Sequence, residues 1–167
     1  MSRNLAEPWN PEVTVAAIVE RDGRFLMVEE LISGRLVLNQ PAGHLEDGES
    51  LVAAAIRETR EETAWRFHPE ALVGVYLWRN PDNGRGFLRF AFCGRVDQHD
   101  AAQPLDKGIQ RALWLSRNQL LAQAGRLRSP LVMRCLDDYT LGRRQPLDTV
   151  ATLDLETAVQ AGNVVNL

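Results

Sequence analysis

Three glutamates in one stretch of helical character have a spacing suited to binding an ion. Glu61 and Glu62 follow Glu58 by three and four residues, and such spacings put side chains on one side of a helix. Three like charges this close repel one another unless a cation relieves them. Magnesium, or manganese in its place, suits such oxygen ligands and phosphate partners. Taken alone, the cluster is more typical of a solvated helix face with ordinary pairs, such as Arg57 with Glu61.

The residues around the glutamates form a longer pattern. It runs Gly43, five residues, Glu49, seven residues, Arg57-Glu58, two residues and Glu61-Glu62. A glycine just before a helix lets the backbone approach a ligand, so the Gly43 carbonyl oxygen is a further candidate ligand. Six residues fixed over twenty positions resemble the Nudix box, the motif of enzymes that hydrolyse diphosphates linked to another moiety.

The resemblance implies a role for each charged residue of the box. Glu58, Glu61 and Glu62 would be metal ligands, and Arg57 would pair with Glu49 to hold the loop against the helix. A bound ion would neutralise phosphate oxygens and orient the attacking water. Either Glu62 or Glu61 would serve as the general base.

Two acids outside the box are further candidates for the same site. Glu46 lies in the loop before the helix and would reach a second ion through water. In several Nudix enzymes an acid in a later loop, before the strand that here contains Trp114, adds a ligand or a base. Asp106 is the acid nearest to that position, although a loop aspartate is also typical of a solvated turn.

Two positions depart from the box. Ala64 stands where the family has a glycine that ends the helix in a left-handed turn, a conformation that costs alanine about 1 kcal/mol. We therefore expect the helix to continue slightly beyond Thr63. Thr59 stands where a larger aliphatic residue is usual. Neither change removes a ligand, so they affect the expected backbone and not the expected metal site.

A closer resemblance, to the NudJ-type Nudix phosphatases, is carried by residues 38–46, 87–90, 114 and 127–132. It extends from about Val13 to Val150. It implies nucleoside tri- and diphosphates as substrates, with the pyrophosphate of the thiamin pyrimidine as a further one, and release of terminal phosphate. The alternatives are a pyrophosphate-releasing nucleoside triphosphate hydrolase and a catalytically silent binding module. A silent module usually loses box glutamates or the box arginine, which this chain retains.

Four residues are candidates for binding the phosphorylated substrate. Arg89 interrupts an apolar strand, and a buried arginine needs an anionic partner, either substrate phosphate or a structural carboxylate. Gln40 and Arg35 precede the motif and can contact phosphate or base. His44 can touch substrate, although a supporting or packing role is favoured.

Three aromatic residues near the polar loop at 79–86 can stack a base or belong to the core: Tyr76, Trp78 and Phe87.

The pattern of elements predicts how these residues are positioned. Strands are expected at residues 13–19, 24–29, 36–38, 72–78, 87–96 and 110–115, and helices at about 50–63, 116–124 and 131–142, the last one capped by Ser129 and Pro130. This interleaving predicts an α/β protein, and the resemblance implies a Nudix-type α/β/α sandwich with a mixed central sheet. The residues expected on the core face of the first helix are Val52, Ala55, Ile56, Thr59 and Thr63.

Composition sets the remaining expectations. The chain has 167 residues, 45% of them apolar and 25% charged, with a formal net charge of -3. These values favour one domain at residues 1–150 with a tail at 151–167, and they disfavour a nucleic-acid polymer as partner. The sequence lacks a signal-like or membrane-spanning apolar run, so we expect a cytoplasmic monomer that does not bind membranes. Cys93 and Cys135 are expected to be buried and reduced.

Overall fold

The computed structural model describes residues 9–153 and contains a seven-stranded sheet with helices on both faces. The strands are β1 (Glu12–Arg21), β2 (Arg24–Ile32), β3 (Arg35–Asn39), β4 (Ala42–His44), β5 (Arg66–Arg79), β6 (Gly86–Asp97) and β7 (Ile109–Ser116). The helices are α1 (Leu51–Thr63), α2 (Arg117–Leu121) and α3 (Leu131–Thr140), with short 3₁₀ helices at Ala124–Arg126 and Leu147–Thr149.

The sheet is mixed, as predicted. Its main order is β3-β2-β1-β6-β5, while β4 pairs with β1 and β7 pairs with β2. Strands β1 and β6 run parallel, and the other pairs are antiparallel. The predicted α/β class is therefore confirmed.

Strand β1 is buried on both faces, which explains its continuous apolar sequence. Ala16 and Ile18 belong to a core cluster that also contains residues of α2 and α3. Val15, Ala17 and Val19 point the other way, into a cluster that contains residues of α1. Successive side chains of one strand thus hold the two helical layers on opposite sides of the sheet.

Several predicted boundaries were wrong. Strand β5 begins at Arg66, six residues before the predicted start, because a register shift at Pro69 lets the pairing with β6 continue. The predicted helix at 116–124 is split into α2 and a 3₁₀ turn. Ser129 does not cap α3, since Pro130 occupies the cap position without a side-chain hydrogen bond.

Helix α1 differs from prediction at two residues. Ile56 was expected in the core but is 37% exposed, whereas Ala54 is buried. The helix ends at Thr63 and does not run on, because Ala64 adopts the left-handed conformation with φ of 57°. The carbonyl oxygen of Ala64 accepts hydrogen bonds from the Asp100 N–H and the Arg60 guanidinium. These contacts stabilise a turn that alanine alone disfavours.

Two predictions from composition can be compared with the structure. Cys93 and Cys135 are buried and form no disulfide, as predicted. Within residues 9–153, no helix is long and apolar enough to span a membrane.

A buried carboxylate joins α3 to β5, and its removal should destabilise the fold. Asp138 accepts hydrogen bonds from the Tyr76 hydroxyl at 3.0 Å and the Arg134 Nε at 2.9 Å. Burial raises the pKa of Asp138, but these bonds and nearby arginines outweigh it, so the net pKa is lowered. We expect Asp138→Asn to reduce the free energy of unfolding at neutral pH by about 1–3 kcal/mol.

The effect should depend on pH in a defined direction. Because the pKa of Asp138 is lower in the folded chain, its contribution is present above the unfolded pKa, about 3.9, and is lost as pH falls through the folded pKa. Urea unfolding of both proteins from pH 7 to pH 3 measures this, with Asp82→Asn, at an exposed aspartate, as control. Equal loss of stability in both variants would contradict the assignment.

Candidate functional site

An open cleft of about 570 Å³ contains most of the predicted site residues. Strands of the sheet, α1, the loop before β7 and the start of α3 all contribute to its wall. The predicted residues that line it are Gly43, His44, Glu46, Glu58, Glu62, Arg89 and Asp106.

Gly43 brings the backbone of β4 against the carboxylate of Glu58. Strand β4 pairs with β1 through Gly43 and Val15, and helix α1 starts nearby, where the Ser50 hydroxyl accepts from the Ala53 N–H. A side chain at Gly43 would overlap the carboxyl group of Glu58. A side chain at this position would therefore force the Glu58 carboxyl group to move. The close approach places hard oxygen atoms, of the type that Mg²⁺ and Mn²⁺ bind, beside β4.

Arg57 holds the loop before α1 against the helix. Its Nη2 donates to Glu49 Oε1 at 2.6 Å and to the His44 carbonyl oxygen at 2.9 Å. Its Nη1 donates to Glu58 at 2.8 Å and to Glu61 at 3.1 Å. The predicted Arg57–Glu49 pair is thus part of a network in which one guanidinium orients two of the box glutamates.

Removing this guanidinium should cost both stability and activity. Arg57→Ala would leave the half-buried Glu49 unpaired, so we expect a loss of about 1–3 kcal/mol in the free energy of unfolding. Hydrolysis should fall as well, because Glu58 and Glu61 lose their shared partner. Thermal unfolding and turnover of Arg57→Ala, beside the exposed control Arg66→Ala, test this. A wild-type unfolding temperature would show that Arg57 is not structural and contacts substrate instead.

Glu58 and Glu62 are buried carboxylates with unusual electrostatics. They are 9% and 8% exposed, and burial is the main reason that the pKa of each is raised. The Ala42 N–H donates to Glu62 Oε2 at 2.8 Å. Among residues 9–153, no lysine, arginine or histidine forms an ion pair with Glu62. A bound cation would supply the positive counter-charge that the Glu62 carboxylate lacks.

Glu61 is placed differently from the other two glutamates. Its side chain is 45% exposed and bonds Arg57, and it does not line the cleft. Within the described part of the chain, no three histidine, cysteine, aspartate or glutamate side chains already surround one point. To join Glu58 and Glu62 as a ligand, Glu61 would have to turn away from Arg57.

Asp106 and Glu30 bring further negative charge to the cleft. The Asp106 N–H donates to the Glu61 carbonyl oxygen at 2.9 Å, which holds the loop before β7 beside α1. Both acids line the cleft and add to the effect of burial in raising the pKa of Glu62. Glu30 was not among the residues predicted from the sequence. Its signal was a pair of glutamates after the apolar run of β2, since alternation points one of them to each face.

Two predicted substrate contacts lie outside the cleft. Gln40 is fully buried and donates to the Val132 carbonyl oxygen at 2.8 Å, so it ties the end of β3 to α3. Arg35 is the exposed first residue of β3. Neither residue lines the cleft, and the structure therefore offers no support for their predicted contact with phosphate or base.

The rim of the cleft consists of polar residues that hydrogen bonds and ion pairs join to one another. His44 Nε2 lies 2.7 Å from Glu12 Oε2, and the same glutamate accepts from Arg85. This pairing favours the supporting role predicted for His44. Glu46 also lines the cleft but is well exposed, 3.8 Å from Arg57.

The aromatic candidates separate into two groups. Trp78 and Phe87 both line the cleft and stack with ring centroids 5.7 Å apart. Tyr76 instead belongs to the core, bonded to Asp138. Several other polar residues of the wall were not predicted as site residues, and they come from separate loops and strands: Thr14, Asn39, Asn80, Asn83, Arg85, Arg128 and Ser129.

Comparison with known proteins gives matches over most of the chain. The NUDIX domain family matches residues 9–135. Phosphatase NudJ of Escherichia coli is 44% identical over 142 residues, which are 85% of this chain and 92% of that protein. A NUDIX hydrolase structure from Nitrosomonas europaea is 48% identical with a TM-score of 0.86, covering 87% of this chain and 99% of that one. A MutT NUDIX hydrolase from Burkholderia pseudomallei, 18% identical with a TM-score of 0.63 over 77% and 98%, shares the fold.

Proposed function

Because the chain belongs to the Nudix hydrolase family, we propose that it is a magnesium-dependent phosphatase of nucleoside tri- and diphosphates. It would cleave phosphoanhydride bonds and release terminal phosphate. The pyrophosphate of the thiamin pyrimidine is a further proposed substrate, and manganese is the alternative metal. The similarity to phosphatase NudJ supports the phosphatase class.

One observation carries the metal requirement. Glu58 is buried against Gly43 and Glu62 is buried beside the Ala42 N–H in the wall of the cleft, and within residues 9–153 Glu62 has no cationic partner. Buried ionised carboxylates are costly unless they are paired or bind a metal. The proposed ligands are Glu58, Glu61, Glu62 and the Gly43 carbonyl oxygen. Glu46 and Asp106, both at the cleft, are proposed to support a second ion through water.

The protein groups have separate parts in the proposed chemistry. A bound divalent cation would supply charge neutralisation at phosphate oxygens and lower the pKa of a bound water. Arg57 keeps Glu58 and the loop at Glu49 in place, and the Ala42 N–H fixes one oxygen of Glu62. The other oxygen of Glu62 is available to accept a proton from the attacking water. Since Glu61 does not line the cleft, Glu62 is the better placed of the two candidate bases.

The cleft favours compact substrates. The loop between β5 and β6 is short, although Asn80, Asn83 and Arg85 contribute to the wall. Trp78 and Phe87 offer ring faces that tolerate different bases, because every base has a face that can stack. We therefore propose loose base preference and a free terminal phosphate, with dinucleotides disfavoured.

Phosphorus NMR of the products tests the proposal. With GTP or GDP and magnesium, inorganic phosphate should be the first product, and chelator should stop the reaction. Pyrophosphate as the sole product from GTP would favour the alternative, a pyrophosphate-releasing hydrolase. Which of the two products forms depends on which phosphorus lies in line with the attacking water.

The monomeric state, the cytoplasmic location and the single domain at 1–150 stay predictions. Residues 154–167 of the predicted tail lie outside the described residues.

A further inference from the structure

Arg89 is a buried cation without a counter-ion. It lies in β6, 7% exposed, and lines the cleft. Its Nε and Nη1 atoms have no hydrogen-bond partner among the described residues, and no aspartate or glutamate of residues 9–153 forms an ion pair with it. A guanidinium removed from water in this way is expensive unless something else binds it.

The side chain of Cys135 does not supply the missing charge. The Cys135 thiol lies beside Arg89, but burial raises the pKa of Cys135 to about 11. It is therefore a neutral thiol near pH 7 and only a weak acceptor. Burial also lowers the pKa of Arg89; the negative charge of Glu62 opposes this effect, and the positive charge of Arg128 adds to it. The two arginines thus repel each other across the cleft wall that both residues line.

Three buried polar side chains near the arginines also lack partners. Thr14 pairs directly with Arg89 in the register of β1 and β6. Ser129 lies near Asn39 because the Arg128 N–H donates to the Leu38 carbonyl oxygen at 2.8 Å. The atoms Thr14 Oγ1, Asn39 Oδ1 and Ser129 Oγ are buried without hydrogen-bond partners in the described part of the chain. All three residues line the same cleft.

We propose that Arg89, Arg128, Thr14 and Ser129 form a second anion-binding subsite, which takes a phosphate group of the substrate other than the one at the glutamates. Asn39 can join this subsite only through its amide N–H donors, because its unpartnered Oδ1 is itself an acceptor. A phosphate oxyanion provides several acceptors together with the negative charge that the buried Arg89 lacks, and the exposed Arg128 can bind the same group. The inference deepens the proposed function, since it assigns this end of the cleft to a second phosphate and makes a diphosphate the smallest substrate that spans both parts.

When no anion is bound, the subsite should lower the free energy of unfolding. Replacing an unpaired buried charge by an apolar side chain of similar length is often neutral or stabilising. Arg89→Met should therefore unfold at the wild-type temperature or above it, and at the same time lose anion binding. A structural arginine would behave in the opposite way, because its removal would leave its partners unpaired.

The test uses inorganic phosphate as the probe and the full chain in chelator, so that no metal takes part. We expect phosphate to raise the unfolding temperature of the wild type in a saturable manner, which potassium chloride at equal ionic strength does not reproduce. Arg89→Met should weaken phosphate binding roughly tenfold or more, while Arg66→Met, which removes an exposed arginine, should retain it. The isosteric Thr14→Val and the small change Ser129→Ala should fold normally and bind phosphate several-fold more weakly.

The phosphate titrations and the turnover measurements can each contradict the proposed subsite. Absence of saturable stabilisation in the wild type, or wild-type phosphate affinity in Thr14→Val and Ser129→Ala, would overturn the subsite even if Arg89→Met failed to fold. Competitive inhibition of turnover by phosphate, lost in Ser129→Ala, would show that the bound group belongs to the reaction path. Phosphate binding without any turnover of nucleotides would instead reject the proposed hydrolysis and leave the subsite standing.

Discussion

Glu62→Gln is expected to lower the rate of hydrolysis about 100-fold or more while leaving the fold intact. Glutamine keeps the shape of the side chain and can still accept from the Ala42 N–H, which donates to Glu62 at 2.8 Å. It removes the negative charge that the proposed cation needs and the group proposed to take a proton from water. Both losses affect the reaction and neither opens a cavity in the core.

Stability should change in the opposite sense to activity. Burial, with repulsion from Glu58, Glu30 and Asp106, raises the pKa of Glu62. The free energy of unfolding of the metal-free protein therefore falls as pH rises from the unfolded pKa of Glu62 towards its folded pKa, because the fold must keep protonated a group that ionises when unfolded. In chelator at neutral pH, Glu62→Gln should unfold at or above the wild-type temperature. Steady-state turnover and thermal unfolding, with exposed Glu70→Gln as control, measure both effects; full activity in Glu62→Gln would reject its assignment.

Gly43→Ala is the second substitution with a large expected effect. A methyl group there would overlap the Glu58 carboxylate, so β4 and α1 must separate or Glu58 must turn away. Since the Gly43 carbonyl oxygen and Glu58 are proposed ligands of one ion, either movement should lower hydrolysis by about 100-fold. The apparent magnesium requirement should rise at the same time.

Gly125→Ala provides the matched control for this experiment. A methyl group at Gly125 meets no atom within 4 Å, so this variant should keep wild-type activity and metal requirement. Gly43 does not have a positive φ, which means that backbone strain does not complicate the comparison. Turnover measured against magnesium concentration for both variants gives the answer. Unchanged activity in Gly43→Ala would mean that Glu58 and the Gly43 carbonyl oxygen do not bind the same ion.

The sequence predicted the box residues of helix α1 and its start at Ser50, because helical spacing and capping are local properties, but it did not predict strand β4, which carries Gly43. Ser50 begins α1 as expected, and Arg57 meets Glu49 because eight residues of loop and helix bring them together. The end of α1 was not predictable in this way. Ala64 takes up a left-handed turn through bonds from Asp100, a residue of a distant loop.

The substrate candidates show the same limit. Gln40 and Arg89 are both polar residues near apolar runs, and the sequence alone gives no reason to separate them. The fold does separate them, because Gln40 reaches the backbone of α3 whereas Arg89 faces the cleft without a counter-ion. The role of Gln40 depends on a contact with a residue 92 positions away in the sequence. A local sequence pattern cannot predict such a contact.

Electron paramagnetic resonance of Mn²⁺ tests the central claim, that the glutamates of α1 bind the ion required for hydrolysis. The signal of the free ion falls as Mn²⁺ binds, so titration of the full chain measures binding without any assumption about substrate. We predict saturable binding to the wild type, the same binding to Glu70→Gln, and binding at least about tenfold weaker in Glu62→Gln. Equal Mn²⁺ binding by the wild type and Glu62→Gln would contradict the account.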